Sequence, residues 1–408
     1  MSMKLIILIA FWVISLIQFV LQYVYYRSAN NPIPENVKDV YDNETYLKWQ
    51  RYHGEKSRLE MIALIAAVTV VSLLLAFDVH ALVAGLFGDG FFANVLAVLI
   101  FTALVEAIAK LPFDYVGVMK IEEKYGFNRT SVKTFVRDQI IGFVFGLIVN
   151  VLLVLGIYYT AMLGNLMPVI LSIVLCIFVL IMNLLFPLIS RAQNKFVPLE
   201  EGSLRDKLTA LLTSHGYTVK EIEVMDASRR TTKSNAYFSG FGKQKKIVLY
   251  DNLLSSMTED EICAVFAHEL GHGLHHDIPK LLGLNCINMV IMSVLSYLAV
   301  SVEKIYTDFG FSGVNYGFTY VVMMTALLPL LMQITSLLIN AVSRRAEYRA
   351  DAQAYEEGYA DALVSGLKKL SRENFSHLSP NPLIVVLEYS HPTLSERIAA
   401  LEKLKTKN

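Results

Sequence analysis

The chain alternates between long apolar runs and shorter polar segments. Seven of the runs are long enough to cross the hydrocarbon layer of a bilayer as a helix, which takes about 20 residues at a rise of about 1.5 Å each. The second and third runs are the weakest in length or purity. The pattern predicts seven transmembrane helices, at Lys4 to Tyr23, Ile62 to Phe77, Phe91 to Ala109, Ile140 to Tyr159, Leu166 to Phe186, Leu281 to Val300 and Tyr320 to Ile339.

The first run has the length of a secretory signal as well as that of a membrane anchor. No small-residue cleavage site ends it, because the sequence continues as Tyr23-Val24-Tyr25-Tyr26-Arg27. We therefore predict that it is retained as a membrane helix.

The longest polar stretch, residues 191 to 280, is long enough to fold as a small domain outside the bilayer. Its hydrophobic spacing predicts a helix at Leu204 to Leu212. A second helix is predicted to begin at Thr258, because Thr258 and Glu261 have the spacing of a capping box. Three short apolar segments between these helices predict strands, at Ile222 to Met225, Ala236 to Phe241 and Ile247 to Leu249.

Together these elements predict a mainly α, polytopic membrane protein that also carries a small α+β domain outside the bilayer. Residues 1–190 would form transmembrane helices 1 to 5, with cytosolic loops at 25–60 and 110–138. Residues 191–280 would form the cytosolic domain, 281–340 transmembrane helices 6 and 7, and 341–408 a cytosolic helical tail.

The composition excludes an ordinary soluble domain, because 54% of the residues are hydrophobic and only 18% are charged. The formal net charge is zero, so nothing indicates binding to nucleic acid. The three cysteines, Cys176, Cys263 and Cys286, form neither a disulfide framework nor a cysteine metal motif.

Basic residues between the runs predict the orientation, because lysine and arginine in short loops stay on the cytoplasmic side. The first, third and fifth connections and the C-terminal tail are rich in them, whereas the second and fourth have none and the sixth has only Lys304. This alternation predicts an amino terminus outside and a carboxyl terminus inside the cytosol.

A metal motif, His268-Glu269-Leu270-Gly271-His272, lies on the helix that begins at Thr258. Two imidazoles four residues apart share one face of a helix and can bind one cation. Zinc in such a site lowers the pKa of a water molecule, and Glu269 is placed to take its proton. The alternative is a polar helix end that happens to carry two histidines.

A third protein ligand is offered by Glu347, after the last apolar run. Asp351 follows four residues later on the same helical face and could accept a hydrogen bond from the far nitrogen of a ligating histidine. From the residues alone, a solvated acidic face among Arg344, Arg345 and Arg349 is an equally good interpretation.

The other histidines carry less information. We interpret His275 and His276, with Asp277, as an interfacial polar cluster. We interpret His53, His80, His215 and His377 as surface or loop residues, and His391 as part of a rigid turn that leads into a helix capped by Thr393 or Ser395.

The chain resembles the type I CAAX prenyl proteases, a family of integral-membrane zinc metalloproteases with seven spans. Beyond the metal motif, the resemblance is carried in order along the chain by Leu111 to Phe113, Ile121 to Asn128, Pro198 to Gly202, Ser234 to Phe238, Ile247 to Asp251, Glu347 to Asp351 and Ser390 to Pro392.

This resemblance implies one Zn²⁺ per chain, with Glu347 as the third ligand and Asp351 behind it. It implies that Asn235, His391 and Arg397 contact the substrate backbone or steady the oxyanion. It also implies a water-filled chamber enclosed by the helices. Polar residues within the spans would either line this chamber or bond between helices, and these are Glu106, Asn150, Asn183, Asn285, Asn288 and Gln333.

The implied partners are a peptide or protein substrate, prenylated in the family, and the lipid bilayer. The membrane would be that of the endoplasmic reticulum in a eukaryote or the inner membrane in a bacterium, with the active site facing the cytosol. Gly273 and Asp277 stand where eukaryotic members commonly have Trp and His, which weakens the transfer of prenyl specificity. The alternatives are a broad-specificity quality-control protease for membrane proteins and a seven-helix transporter with an incidental motif.

Overall fold

The structure is a computed structural model that describes residues 1–239 and 244–406. In this part of the chain, seven helical segments are long and apolar enough to cross a membrane, which confirms the predicted number. They cover Met3–Asn30, Asn43–Ala76, Phe92–Tyr125, Val132–Ala161, Gly164–Leu185, Asp277–Ser301 and Tyr316–Glu356.

Several of these segments extend well beyond their apolar runs. The second begins at Asn43, nineteen residues before the predicted start at Ile62, where the side chain of Asp42 accepts a hydrogen bond from the Thr45 amide. Hydropathy detects only the part of a helix that lies in lipid. The extensions are polar, and the last of them carries Glu347 and Asp351.

The helices in chain order are as follows. The segments in and near the bilayer are α1 (Met3–Arg27), α2 (Asn43–Ala76), α3 (Val79–Gly85), α4 (Val98–Val116), α5 (Glu123–Tyr125), α6 (Val132–Ala161) and α7 (Met167–Gln193). Then come α8 (Ser203–Ser214), α9 (Asp251–Ser256), α10 (Glu259–Leu274), α11 (Asp277–Ser301), α12 (Lys304–Thr307), α13 (Tyr316–Val322), α14 (Leu328–Glu356), α15 (Ala360–Glu373), α16 (Pro382–Glu388) and α17 (Leu394–Lys405).

The domain outside the bilayer contains a four-stranded sheet with the strand order β1-β2-β4-β3. β2 and β4 are parallel, and the two outer pairs are antiparallel. The sequence predicted β2, β3 and β4 but not the short β1, and residues 240 and 241 of the second predicted strand, Ala236 to Phe241, lie outside the described residues. The strands are β1 (Phe196–Pro198), β2 (Thr218–Met225), β3 (Ala236–Ser239) and β4 (Gln244–Tyr250).

One hydrophobic core joins this sheet to the helices around it. Ile247 and Leu249 of β4 pack with Phe266 and Leu270 of α10, and all four side chains are almost fully buried. The same cluster includes residues of α8, α14, α15 and α17. The metal-motif helix is therefore held on one side by the sheet and on the other by the last span and the C-terminal helices.

Two histidines interpreted as surface or loop residues are buried, which corrects that interpretation. His53 lies on α2 and is 5% exposed, stacked on the ring of Trp49 and 3.2 Å from the Tyr25 carbonyl oxygen. His80 lies on α3 and is 2% exposed. His53 lies among polar residues of α2, and His80 lies in a helix of only seven residues, so the apolar spacing of the sequence did not reveal their burial.

The predicted capping box at the start of α10 is confirmed. The Thr258 side chain accepts from the Glu261 amide, and a Glu261 carboxylate oxygen accepts from the Thr258 amide at 2.8 Å. Glu261 is buried and also accepts bonds from Ser365 at 2.6 Å and Lys369 at 2.7 Å. The Glu261 carboxylate thus caps the N-terminus of α10 and links this helix to α15 by hydrogen bonds.

Replacing Glu261 with glutamine is expected to destabilise the folded protein by about 2 kcal/mol, since a helix cap and a charged hydrogen bond are both weakened. Burial would raise the pKa of Glu261, but Lys369, Ser365 and the Thr258 amide outweigh it and hold this pKa below its usual range. The stabilisation is therefore present above about pH 4.3, the usual pKa, and is lost as the pH falls through the lowered value.

Thermal unfolding in detergent micelles measures this effect. The difference in melting temperature between the wild type and Glu261→Gln should be constant near neutral pH and shrink in acid. Glu259→Gln, on the exposed first turn of the same helix, is the matched control. An equal loss in both variants would contradict the assigned role of Glu261.

Candidate metal centre

The centre is built where α10 meets α14. The apolar residues Ile262, Phe266 and Leu270 of α10 pack into the core, which leaves His268 and His272 directed at α14. The two imidazole rings lie 4.8 Å apart and are nearly perpendicular. The shared helical face expected from the sequence therefore exists.

α14 runs from within the apolar part of the last span to Glu356, and it carries Glu347 and Asp351 on the face that meets α10. Both carboxylates are buried, with 4% and 1% of their surface exposed. This excludes the solvated acidic face that the sequence alone left open.

A glycine sets the distance between the two helices. A β-carbon added to Gly271 would lie 2.8 Å from the Cα atom of Ala350 and 3.0 Å from the Cβ atom of Gln353. Such distances are shorter than any normal carbon contact. Only glycine lets the backbone of α10 approach α14 closely enough at this turn.

The three expected ligands converge at this contact. The Nε2 atom of His268 lies 3.4 Å from Oε2 of Glu347, and the Nε2 atom of His272 lies 3.3 Å from Oε1 of the same carboxylate. Ligand atoms of the three residues all lie within 4.8 Å of one another. Around a tetrahedral zinc with bonds of about 2.0–2.1 Å, neighbouring ligand atoms are about 3.3 Å apart. The spacing of this donor set fits such an ion.

A buried carboxylate oxygen supports the same interpretation. Among the described residues, Oε2 of Glu347 has no hydrogen-bond partner, although it is shielded from solvent. An unsatisfied buried acceptor is costly. A cation bound between Glu347 and the two histidines would remove that cost.

Asp351 fixes the far side of His268. Its Oδ1 lies 2.9 Å from Nδ1 of His268, so the ring presents Nε2 to Glu347. Arg397 in turn donates two hydrogen bonds to Asp351, at 2.6 and 2.9 Å, and its side chain is only 11% exposed. The hydrogen bond to Nδ1 defines which ring nitrogen is free for a metal.

Asp277 fixes His272 in the same way, a role that the sequence analysis missed. Its Oδ2 lies 3.1 Å from Nδ1 of His272, and Arg349 donates to its Oδ1 at 2.6 Å. The interpretation of Asp277 as part of an interfacial polar cluster is wrong. Asp277 lies five residues after His272, a spacing that does not place two side chains on one face of a continuous helix. The sequence therefore did not indicate their contact, which depends on the turn of the backbone at His276, where φ is 54°.

These partners also act on the protonation of the histidines. Burial would lower the pKa of His272, but hydrogen bonding to Glu347 and Asp277 outweighs burial and raises it to about 9. Burial and Arg397 would lower the pKa of His268, and Asp351 and Glu347 raise it. Because a raised pKa favours the protonated ring, a divalent cation bound to the two histidines would displace protons.

The loop before α17 brings His391 to the same carboxylate, with Nε2 of His391 3.3 Å from Oε1 of Glu347. Arg344 of α14 holds this loop, because it donates to the carbonyl oxygens of Val385 and Tyr389 at 2.9 and 2.6 Å. The His391 side chain remains 62% exposed. The predicted helix cap after it is Thr393, and not Ser395.

A cavity of about 340 Å³ opens over the centre. His268, His272 and Glu347 lie in its wall, together with leucines of α15. Every other predicted site residue except Asp351 also lines it, namely Glu269, Asn235, His391 and Arg397. Segments far apart in sequence thus meet around one space.

The polar residues of the spans have different surroundings. Glu106 lines a second, mostly apolar cavity of about 660 Å³ between α2 and α4. Asn183 donates to the Val179 carbonyl of its own helix, Asn288 is buried, and Nε2 of Gln333 is buried without a hydrogen-bond partner among the described residues. Only Glu106 of this set lies in a cavity described here.

Comparison with known proteins finds two family models that match this chain and relatives that cover most of its length. The sequence model of peptidase family M48 matches residues 198–405, and that of the CAAX prenyl protease N-terminal region, with five membrane helices, matches residues 22–191. The CAAX prenyl protease 1 homolog of Oryza sativa subsp. japonica is 32% identical over 92% of this chain and 91% of its own.

Two further relatives cover nearly the full length. CAAX prenyl protease 1 of Saccharomyces cerevisiae is 28% identical over 94% of this chain and 91% of its own. The crystal structure of Ste24p from S. mikatae is similar with a TM-score of 0.89 and 26% identity, covering 98% of this chain and 99% of that one.

Replacing Gly271 with alanine tests the close helix contact. The added methyl group meets the backbone of α14, so α10 must move away from Glu347, at a cost of about 1–3 kcal/mol. We expect a lower melting temperature and at least tenfold weaker metal retention, measured by metal analysis after dialysis against a chelator. Gly283→Ala in α11, whose added carbon would meet nothing within 4 Å, is the control. Unchanged metal retention in Gly271→Ala would contradict this account.

Proposed function

Because this chain belongs to peptidase family M48 and is a membrane metalloprotease of the CAAX prenyl protease type, we propose that it is a zinc endopeptidase that cleaves membrane-associated substrates near their carboxyl termini. The observation that carries the proposal is the convergence of His268, His272 and Glu347 at one point. The transporter alternative does not account for this match to a protease family.

Zinc is the proposed metal because two imidazoles and one carboxylate are a ligand set typical of catalytic zinc, which leaves a position for water or substrate. Bound zinc would lower the pKa of that water towards neutrality and polarise the scissile carbonyl. Asp351 and Asp277 would keep the ring nitrogens of His268 and His272 in the required orientation.

Glu269 is the proposed general base. It follows the first ligand His268 directly and lines the cavity beside the three ligand side chains. From there its carboxylate would take a proton from the attacking water and return it to the nitrogen of the leaving amine. Its half-buried position keeps it in contact with the cavity and hence with the substrate.

His391 and Arg397 would act differently from each other. The exposed His391 ring lies over the cavity, where Nε2 could donate to the developing oxyanion. Arg397 is occupied by Asp351 and lies 3.5 Å from Glu347. We therefore propose that Arg397 positions these two carboxylates, in place of the substrate contact that the resemblance implied.

The substrate would bind as an added strand on β3. In the described sheet β3 is the last strand of the order and pairs only with β4. Asn235 lies directly before it and in the cavity wall, and its carbonyl oxygen accepts from the Tyr250 amide. A peptide paired with the free edge of β3 would be extended alongside the metal ligands.

Removal of the last three residues from prenylated proteins is the specific activity that we propose. The apolar cavity between α2 and α4 supports it, because a pocket of this size suits a small apolar ligand. One end of this cavity is formed by Glu122, which lies 3.7 Å from Lys233, two residues before Asn235. A prenyl chain in the cavity would thus lie next to the peptide-binding edge.

We propose that the site faces the cytosol, of the endoplasmic reticulum in a eukaryote or of a bacterium at its inner membrane. The alternation of basic residues between the spans supports this orientation. We also propose a domain boundary near residue 190, which is supported by the end of the first matched family model at residue 191 and the start of the second at residue 198.

Replacing Glu269 with glutamine is expected to reduce peptide cleavage at least a thousandfold while the protein retains one zinc per chain, since the amide cannot accept a proton. His272→Ala should lose both zinc and cleavage, because one of the three ligands is absent. Metal analysis and a peptide-cleavage assay on purified protein in micelles measure both properties. Full cleavage by Glu269→Gln would refute the mechanism, and a full zinc equivalent in His272→Ala would refute the ligand assignment.

The substrate proposal is tested with two peptides that share one sequence, one farnesylated on its cysteine and one with an unmodified cysteine. We expect the farnesylated peptide to have at least a tenfold higher kcat/KM, because the prenyl chain adds buried apolar area. Equal rates would instead favour the broad-specificity quality-control protease. Glu269→Gln serves as the control for contaminating proteases.

A further inference from the structure

Four arginines meet at a pocket separate from the cavity over the metal ligands. Arg129 precedes α6 and Arg137 lies in its second turn, whereas Arg229 and Arg230 belong to the connection from β2 to β3. They line one polar cavity of about 290 Å³. The segment that begins α6 and a loop of the outer domain thus contribute two arginines each to this arginine pocket.

Two carboxylates lie against the four arginines of the pocket. Asp138 lies 2.7 Å from Arg230 and 3.3 Å from Arg137, so one carboxylate serves two guanidinium groups. Asp226 pairs with Arg229 at 3.0 Å. Among the described residues, the Arg129 guanidinium contacts only the Ser228 carbonyl oxygen, at 3.4 Å, and has no carboxylate beside it.

The remaining groups of the pocket are hydrogen-bond donors. The hydroxyl groups of Ser131 and Thr134 lie 2.9 Å apart in its wall. Ser131 is also the N-cap residue of α6, a helix of 30 residues whose positive dipole end lies here. Guanidinium forks, hydroxyl groups and a helix N-terminus are the groups with which proteins bind phosphate.

The depth of the pocket indicates where such a phosphate would come from. The apolar run of α6 begins at Ile140, three residues or about 4.5 Å beyond Arg137 and nine residues or about 14 Å beyond Ser131. Head groups occupy about 5–8 Å on each side of the hydrocarbon layer. Arg137 therefore lies at the level of lipid phosphates.

We propose that the arginine pocket binds a phosphate group, supplied by the head of an anionic phospholipid in the leaflet next to the metal centre. The phosphate would contact Arg137 of the span and Arg229 of the outer domain together. The loop that holds Arg229 leads within six residues to Asn235 at the cavity over the metal. A bound lipid would thus fasten this loop to the membrane surface.

Native mass spectrometry of the full-length protein in a mild detergent tests the proposal, with phosphatidic acid and phosphatidylcholine as probes. We expect the wild type to retain phosphatidic acid at least tenfold better than phosphatidylcholine. Arg137→Gln/Arg229→Gln should bind phosphatidic acid about 25-fold more weakly, about fivefold for each basic side chain removed. The control Lys120→Gln/Lys133→Gln removes the same charge from exposed residues nearby and should change binding less than twofold.

Each outcome decides the proposal. Equal retention by the wild type and the arginine variant, or an equal loss in the lysine control, would overturn it. In a separate experiment, inorganic phosphate is added and the melting temperatures of the wild type and the arginine variant are measured. Stabilisation by phosphate that depends on Arg137 and Arg229, without any preference for phosphatidic acid, would overturn the lipid as source. If the double variant is not monodisperse, Arg137→Gln and Arg229→Gln singly should each show the fivefold loss.

Discussion

The backbones of α10 and α14 touch at Gly271 and Ala350, and the arrangement of the metal centre depends on that contact. His268 and His272 belong to one helix and Glu347 to the other, so an ångström of separation would move the carboxylate out of reach of both rings. The contact is supported on both sides, because the core residues of α10 pack against the sheet and α14 continues from the bilayer. The relative positions of the ligand side chains therefore depend on the packing of the two helices and not on the ligands alone.

A second level of support lies behind the histidines. Each ring has its own carboxylate, Asp351 or Asp277, and each carboxylate has its own arginine, Arg397 or Arg349. The two chains of contacts come from different parts of the sequence, the C-terminal helix in one case and the last span in the other. Because a buried carboxylate would be costly without its arginine, the four groups stabilise one another as well as the rings.

The sequence predicted the spans and the metal helix because their signals are local. Apolar length identified seven spans, and the Thr258 capping box fixed the start of α10. The role of Asp277 required knowledge of the break at His276, and the burial of His53 required knowledge of the packing of α1, α2 and the C-terminal segment. Such long-range contacts leave no periodicity in a single sequence. The roles of Asn235 and His391 came from the family resemblance and stay predictions. For Arg397, the hydrogen bonds to Asp351 led us to propose a positioning role in place of the implied substrate contact.

Because α14 continues without interruption from its apolar part to Glu347, its length sets the distance of Glu347 from the end of the apolar run. Glu347 lies eight residues beyond Ile339, the end of the predicted apolar run, which corresponds to about 12 Å along a helix axis. An extended peptide covers that height with about four residues. For a membrane-anchored substrate of the proposed activity, the cleaved bond would therefore be set by its distance from the anchored point as well as by the residues that flank it.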